Sequence, residues 1–132
     1  LIKVWVDHMV TKIWMPLRQL KVHPFLANWV SGLIAISIIW LSLTPLAELP
    51  SVPGSDKTHH IIAYAALAIP TAFAYPKRLL VMAILYILLG GLIELIQPYV
   101  NRYGEWLDFM SNLSGVVLGS FIGLLLDKLV KN

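Results

Sequence analysis

The chain has 132 residues, of which 58% are hydrophobic and only 13% charged, with a net charge of +3 and a mean hydropathy of +0.77. Soluble domains carry roughly a quarter of their residues as charges, so this composition excludes an ordinary soluble domain and points to one compact unit in a lipid bilayer. The absence of cysteine excludes disulfides and thiolate metal sites, and nothing in the charge pattern suits a nucleic-acid partner.

Residues 1–15 place Ile2, Trp5, Val6, Met9, Val10 and Ile13 at helical spacing, with Lys3, Asp7, His8 and Lys12 around the rest of the wheel. Such a segment is too short and too charged to span. Residues 1–25 therefore read as a short, basic, interfacial amphipathic helix, and no cleavable leader is expected there because charge and apolar groups interleave. The first span is expected over about 26–44, roughly 28 Å of helix and one hydrocarbon thickness. Trp29 and Trp40 lie toward its ends, as interfacial aromatics do. The loop from Pro45 to Ser55 holds three prolines and a glycine and should be extended.

The second span is expected over about 56–75, capped by Ser55 or Asp56. Lys57, His60 and Tyr64 fall on one stripe of it, and Asp56 reaches His60 at i+4. Pro70 is expected to kink this helix. The third span runs over about 79–97 and ends on Glu94, Gln97 and Pro98; the fourth runs over about 108–129. Asp108, Asn112, Gly115 and Gly119 recur at i, i+4, i+7 and i+11, so polar groups sit at the mouth of a smooth face that Gly123 extends. That glycine ladder is expected to pack on a neighbouring span of the same chain, with a homodimer contact as the alternative. Residues 26–132 thus read as a four-span domain: an all-α membrane protein, four transmembrane helices in a compact bundle behind the interfacial helix.

Basic residues set the orientation. Lys3, Lys12, Arg18, Lys21, Lys77, Arg78, Lys128 and Lys131 fall on one side, Lys57 and Arg102 on the other. This bias predicts both termini in the cytoplasm. The polar rim (Asp56, Lys57, His60, Glu94, Gln97, Arg102, Asp108 and Asn112) then faces outward. Ionisable groups at the ends of apolar spans are costly in lipid and face protein or water, so this rim is where function is expected.

In order along the chain, D-K-x-x-H-x-x-x-Y at Asp56, Lys57, His60 and Tyr64, E-x-x-Q at Glu94 and Gln97, Arg102, and D-x-x-x-N-x-x-G-x-x-x-G at Asp108, Asn112, Gly115 and Gly119 resemble the VanZ-like family of small bacterial membrane proteins. The resemblance covers roughly residues 40–126. It implies a multi-pass protein of the bacterial cytoplasmic membrane and the cell envelope, with a link to glycopeptide (teicoplanin) antibiotic resistance. It implies no reaction.

Two readings of the rim compete. In one, Lys57, Arg102 and a neutral His60 face an anionic lipid or a lipid-linked envelope component, with Tyr64, Gln97 and Asn112 in the same pocket, and His60, Glu94 or Asp108 supplies acid–base capacity. In the other, the same groups only fasten the bundle of a scaffolding subunit, with a second copy or another membrane protein as partner. Glu94, an acid opposing its own helix dipole, is expected to pair with Arg102 or with Lys57. His60, Asp56, Glu94 and Asp108 are metal-ligand types, but the neighbouring cations argue against an ion, so neither a metal nor another cofactor is expected. His59 points about 100° from His60 on the helix, toward the headgroups. No nucleophile elbow, phosphate loop or H-E-x-x-H is present, and the middle of the first span lacks the ionisable groups a transport pathway needs.

Overall fold

A computed structural model of the chain describes residues 2–6, 8–9 and 24–131. Residues 2–6 are helical and exposed; most of the expected interfacial helix lies outside the described residues. The rest is four long helices without a strand: α1 (Pro24–Leu43), α2 (Asp56–Ala74), α3 (Leu79–Ile96) and α4 (Trp106–Lys131), joined through short 3-10 turns at Leu46–Glu48, Pro76–Arg78 and Gln97–Val100. Their ends lie close to the predicted spans. Three segments, Pro24–Leu43, Pro76–Val100 and Trp106–Lys131, are long and apolar enough to cross a membrane. The chain is built as a multi-pass membrane protein.

The exception is α2, and its place in the bundle explains why. It packs against all three other helices, and Ile62 is its one exposed large apolar side chain among the described residues. A helix covered by its neighbours has no lipid-facing stripe to fill, so polar residues on it cost less than they would at the lipid surface. Its start follows from local chemistry. Ser55 is extended, and its Oγ accepts the Thr58 N–H at 3.2 Å while Asp56 in the first turn complements the helix dipole.

Pro70 sits inside α2, which continues through it to Ala74. Proline removes one backbone donor, leaving the Ala66 carbonyl short of a partner. One residue on, α1 reaches in: Ser31 Oγ donates to the Leu67 carbonyl at 3.2 Å. Ser31 also bonds Thr71 Oγ1 at 3.2 Å, and Thr71 bonds Tyr86 Oη at 2.6 Å. This buried chain ties α1, α2 and α3 together at the level of the proline. Apolar packing of Ile38, Tyr64, Leu67, Tyr86, Ile93 and Val116 continues the core toward the rim.

Among the described residues, α2 and α4 are the most extensively packed pair of helices. A Cβ on Gly115 would lie 2.5 Å from the Ile61 carbonyl oxygen, one on Gly119 2.7 Å from Ala65 Cα, and one on Gly123 2.5 Å from Ala72 Cβ. The partners are mostly backbone, which cannot move aside. Four residues on α4 advance the contact by about four on α2, in the same direction, so the two helices run parallel and in register. The smooth face therefore packs within the chain.

Gly119→Leu should prevent this contact and lower both membrane yield and the thermal midpoint in detergent. Leu118→Ile, on an exposed neighbour, should change stability by no more than about 0.5 kcal/mol. Equal tolerance at the two positions would show that the helices do not meet here.

Candidate functional site

The parallel register brings the first turns of α2 and α4 together, with the end of α3 and the loop between α3 and α4 alongside. The loop is shaped by Asn101, in the left-handed region at φ 56°, and by Gly104, whose added Cβ would collide with the Glu94 carbonyl oxygen. Only glycine lets the loop lie that close to the last turn of α3.

Five side chains form a connected line across this end of the bundle. The Glu105 backbone N–H donates to Glu94 Oε2 at 3.2 Å, and Asn112 Nδ2 donates to Glu94 Oε1 at 3.3 Å. Asn112 Oδ1 then meets His60 Nδ1 at 2.7 Å. A carboxylate accepts only, so Asn112 turns its NH2 to Glu94 and its oxygen to His60, which donates from Nδ1. His60 Nε2 faces Asp56 Oδ2 and Asp108 Oδ2, each at 3.9 Å. Gly90 on α3 makes room for this line: a Cβ there would meet Asn112 Nδ2 at 3.1 Å and Tyr64 Oη at 3.2 Å.

The cations are engaged elsewhere. Lys57 Nζ bridges Glu105 Oε2 at 3.1 Å and Asp108 Oδ1 at 3.3 Å. Both Lys57 and Glu105 are about half exposed, so water screens that pair, whereas Asp108 is buried. Arg102 donates from a terminal guanidinium nitrogen to the Thr44 carbonyl at 3.2 Å, and Gln97 Nε2 donates to the Ser42 carbonyl at 3.2 Å. These are the carbonyls at the C-terminal end of α1, which have no partner within their own helix.

The expected pairing of Glu94 with Arg102 or Lys57 is therefore corrected. Glu94 is held by an amide and a backbone N–H, and among the described residues neither cation reaches it. The reason is competition: the carbonyl end of α1 draws Arg102, and the two acids at the start of α4 draw Lys57. Sequence reasoning also passed over Glu105. Its signal was an acid just before α4, on the side of the bundle where Lys57 begins α2. His59 bonds the Pro53 carbonyl through Nε2 at 2.9 Å and fixes the preceding loop against Gly54.

Beside this network lies a cavity of about 520 Å³ between the C-terminal part of α1, the loop after it and the start of α2. Ile38, Leu41 and Ala63 make an apolar wall; Asp56, His60 and Arg102 make a polar end. Tyr64 lines it too, and its buried hydroxyl has no hydrogen-bond partner, as is true of Gln97 Oε1. Glu94, with both oxygens bonded inside the bundle, does not line the cavity. Of the three candidate acid–base groups, His60 is the one with both a free ring nitrogen and access to the cavity. Comparison of the chain with family models, with curated proteins and with solved structures finds no match.

Asn112→Ala should cost about 1–3 kcal/mol, because it strands Glu94 and His60 together. In double-mutant cycles on thermal stability in detergent, Glu94→Gln should couple to Asn112→Ala and add independently to Arg102→Gln. Coupling to Arg102 with none to Asn112 would restore the ion pair.

Proposed function

We propose that this chain is a VanZ-like protein of the bacterial cytoplasmic membrane that holds an anionic envelope lipid or lipid-linked glycan in its cavity, with a link to glycopeptide resistance. The cavity's two-part lining carries the reading. An apolar wall contributed by a spanning helix continues into a polar end with a guanidinium, an imidazole and an unpartnered phenol, the same division of surface that a lipid chain and its headgroup present. Arg102 spends an N–H on Thr44 and has further donors in its fork for phosphate or carboxylate oxygens. In this reading α2 is the fourth span, its length of 19 residues giving roughly 28 Å, and the bundle sits with both termini in the cytoplasm and the rim outside.

The runner-up is a scaffolding subunit in which the rim only fastens helices. It is favoured by one observation: Gln97 and Arg102 both act as caps on α1.

Ala63 separates the two, since it lines the cavity and is not part of the polar network. Ala63→Phe should displace the lipid, lowering the co-purified anionic lipid seen by native mass spectrometry at least about tenfold while the thermal midpoint holds. Wild-type protein that retains no lipid, or a variant that retains it equally, favours the scaffold.

Orientation has its own test, helped by the absence of cysteine. Ser51→Cys and Tyr103→Cys should react with an impermeant thiol reagent on intact cells, and Lys77→Cys and Lys131→Cys should not. Tyr103 is exposed, whereas its neighbour Gly104 has no room for a Cβ. The reverse pattern would invert the bundle.

A further inference from the structure

The rim holds more acid than base. Asp56, Glu94, Glu105 and Asp108 stand against Lys57 and Arg102. Glu94 is answered by two N–H donors, and Glu105 and one oxygen of Asp108 by Lys57. Left over are Asp56, the second oxygen of Asp108 and the Nε2 face of His60.

Those three converge. The Asn112 contact takes up Nδ1 of His60 and leaves Nε2 turned toward two carboxylates 3.9 Å away. That distance is too long for a hydrogen bond, and two carboxylates converging on one ring nitrogen repel unless positive charge, a metal ion or a proton on that nitrogen, lies between them. Neither His60, 9% exposed, nor Asp108, 3% exposed, can turn out to water for relief. Histidine ligands to metals characteristically donate their other ring N–H to an oriented acceptor. Here Asn112 is that acceptor, itself held by Glu94, which is a second observation independent of the acidic cluster.

We propose that Asp56, His60 and Asp108 form a site for one divalent transition-metal ion that accepts nitrogen and oxygen ligands together, such as Zn²⁺ or Mn²⁺. One imidazole with two carboxylates suits these ions better than Mg²⁺ or Ca²⁺, which prefer oxygen alone. The ligand atoms all lie within 4.8 Å of one another. Bonds of about 2.1 Å at tetrahedral or octahedral angles need ligand atoms roughly 3.0–3.4 Å apart, so the site must contract somewhat. Asp56, its side chain 59% exposed, is free to make that movement. Lys57 does not block the ion, since it holds Oδ1 of Asp108 and leaves Oδ2 facing His60. Three protein ligands leave coordination positions open toward the cavity, which Asp56 and His60 also line.

The test uses the full chain, purified in detergent, stripped of lipid and metal, then titrated with Mn²⁺ and with Zn²⁺. One ion per chain should bind, and pulsed EPR of the Mn²⁺ form should show nitrogen coupling from an imidazole that His60→Gln removes. Asp56→Asn is the informative variant because its exposed side chain supports no packing. It should weaken binding at least about tenfold while lowering the metal-free thermal midpoint only slightly, by the loss of one helix-dipole charge at the start of α2. No stoichiometric binding by the wild type, equal binding by Asp56→Asn, or no nitrogen coupling overturns the proposal and leaves a proton on His60 Nε2 as the rim's compensating charge. Lipid retention measured in a chelator is a separate readout, so failure here leaves the lipid reading untouched.

Discussion

The contact on which the rest of the molecule depends is the backbone-to-backbone approach of α2 and α4. In lipid there is no hydrophobic force to press helices together, so association rests on close packing and on hydrogen bonds between helices. Gly115, Gly119 and Gly123 give α4 a face on which Ile61, Ala65 and Ala72 rest directly. Because this contact is parallel and in register, it fixes what lies above it. His60 and Asn112, 52 residues apart in sequence, meet at 2.7 Å because the glycines below them have set the spacing of the two helices.

Above that contact the polar groups sort themselves by the needs of helix ends. The end of α1 exposes carbonyls and receives Gln97 and Arg102; the starts of α2 and α4 carry partial positive charge and hold Asp56 and Asp108. Lys57, a cation at an N-terminus, is unfavourable on its own helix and is offset by two acids of the loop and of α4. Glu94 shows the same logic with donors in place of a cation. Much of the rim is thus structural. What remains of the rim among the described residues is narrow: Tyr64 Oη, Gln97 Oε1, the Nε2 face of His60 and the carboxylate oxygens around it.

Tyr64, His60 and Asp56 of that remainder line the cavity, which is why a headgroup and a metal ion are compatible occupants of the same end of the bundle. A divalent ion on Asp56, His60 and Asp108 would cancel the acid excess of the rim, and an anion would then have the ion on one side and the Arg102 guanidinium on the other. The two proposals stand on different observations, the lining of the cavity in one case and the convergence of Asp56, His60 and Asp108 in the other.

The sequence by itself determined the helices. Hydropathy, the proline and glycine punctuation and the Ser55 cap placed their ends closely, because helix limits in an apolar chain are set by local backbone chemistry. It also marked Asp56, His60, Tyr64, Asp108 and Asn112 as one group, since helical periodicity puts them on two stripes that start at the same end. It misjudged the partners of Glu94, which charge alone would pair with a cation, and it gave no weight to Glu105 or to the Ser31, Thr71 and Tyr86 chain beside Pro70. Those are tertiary decisions. Which donor reaches a buried carboxylate depends on which acceptors compete for each cation, and the competing carbonyls at the end of α1 are backbone groups, identical at every residue and invisible in a list of side chains until the helices are packed.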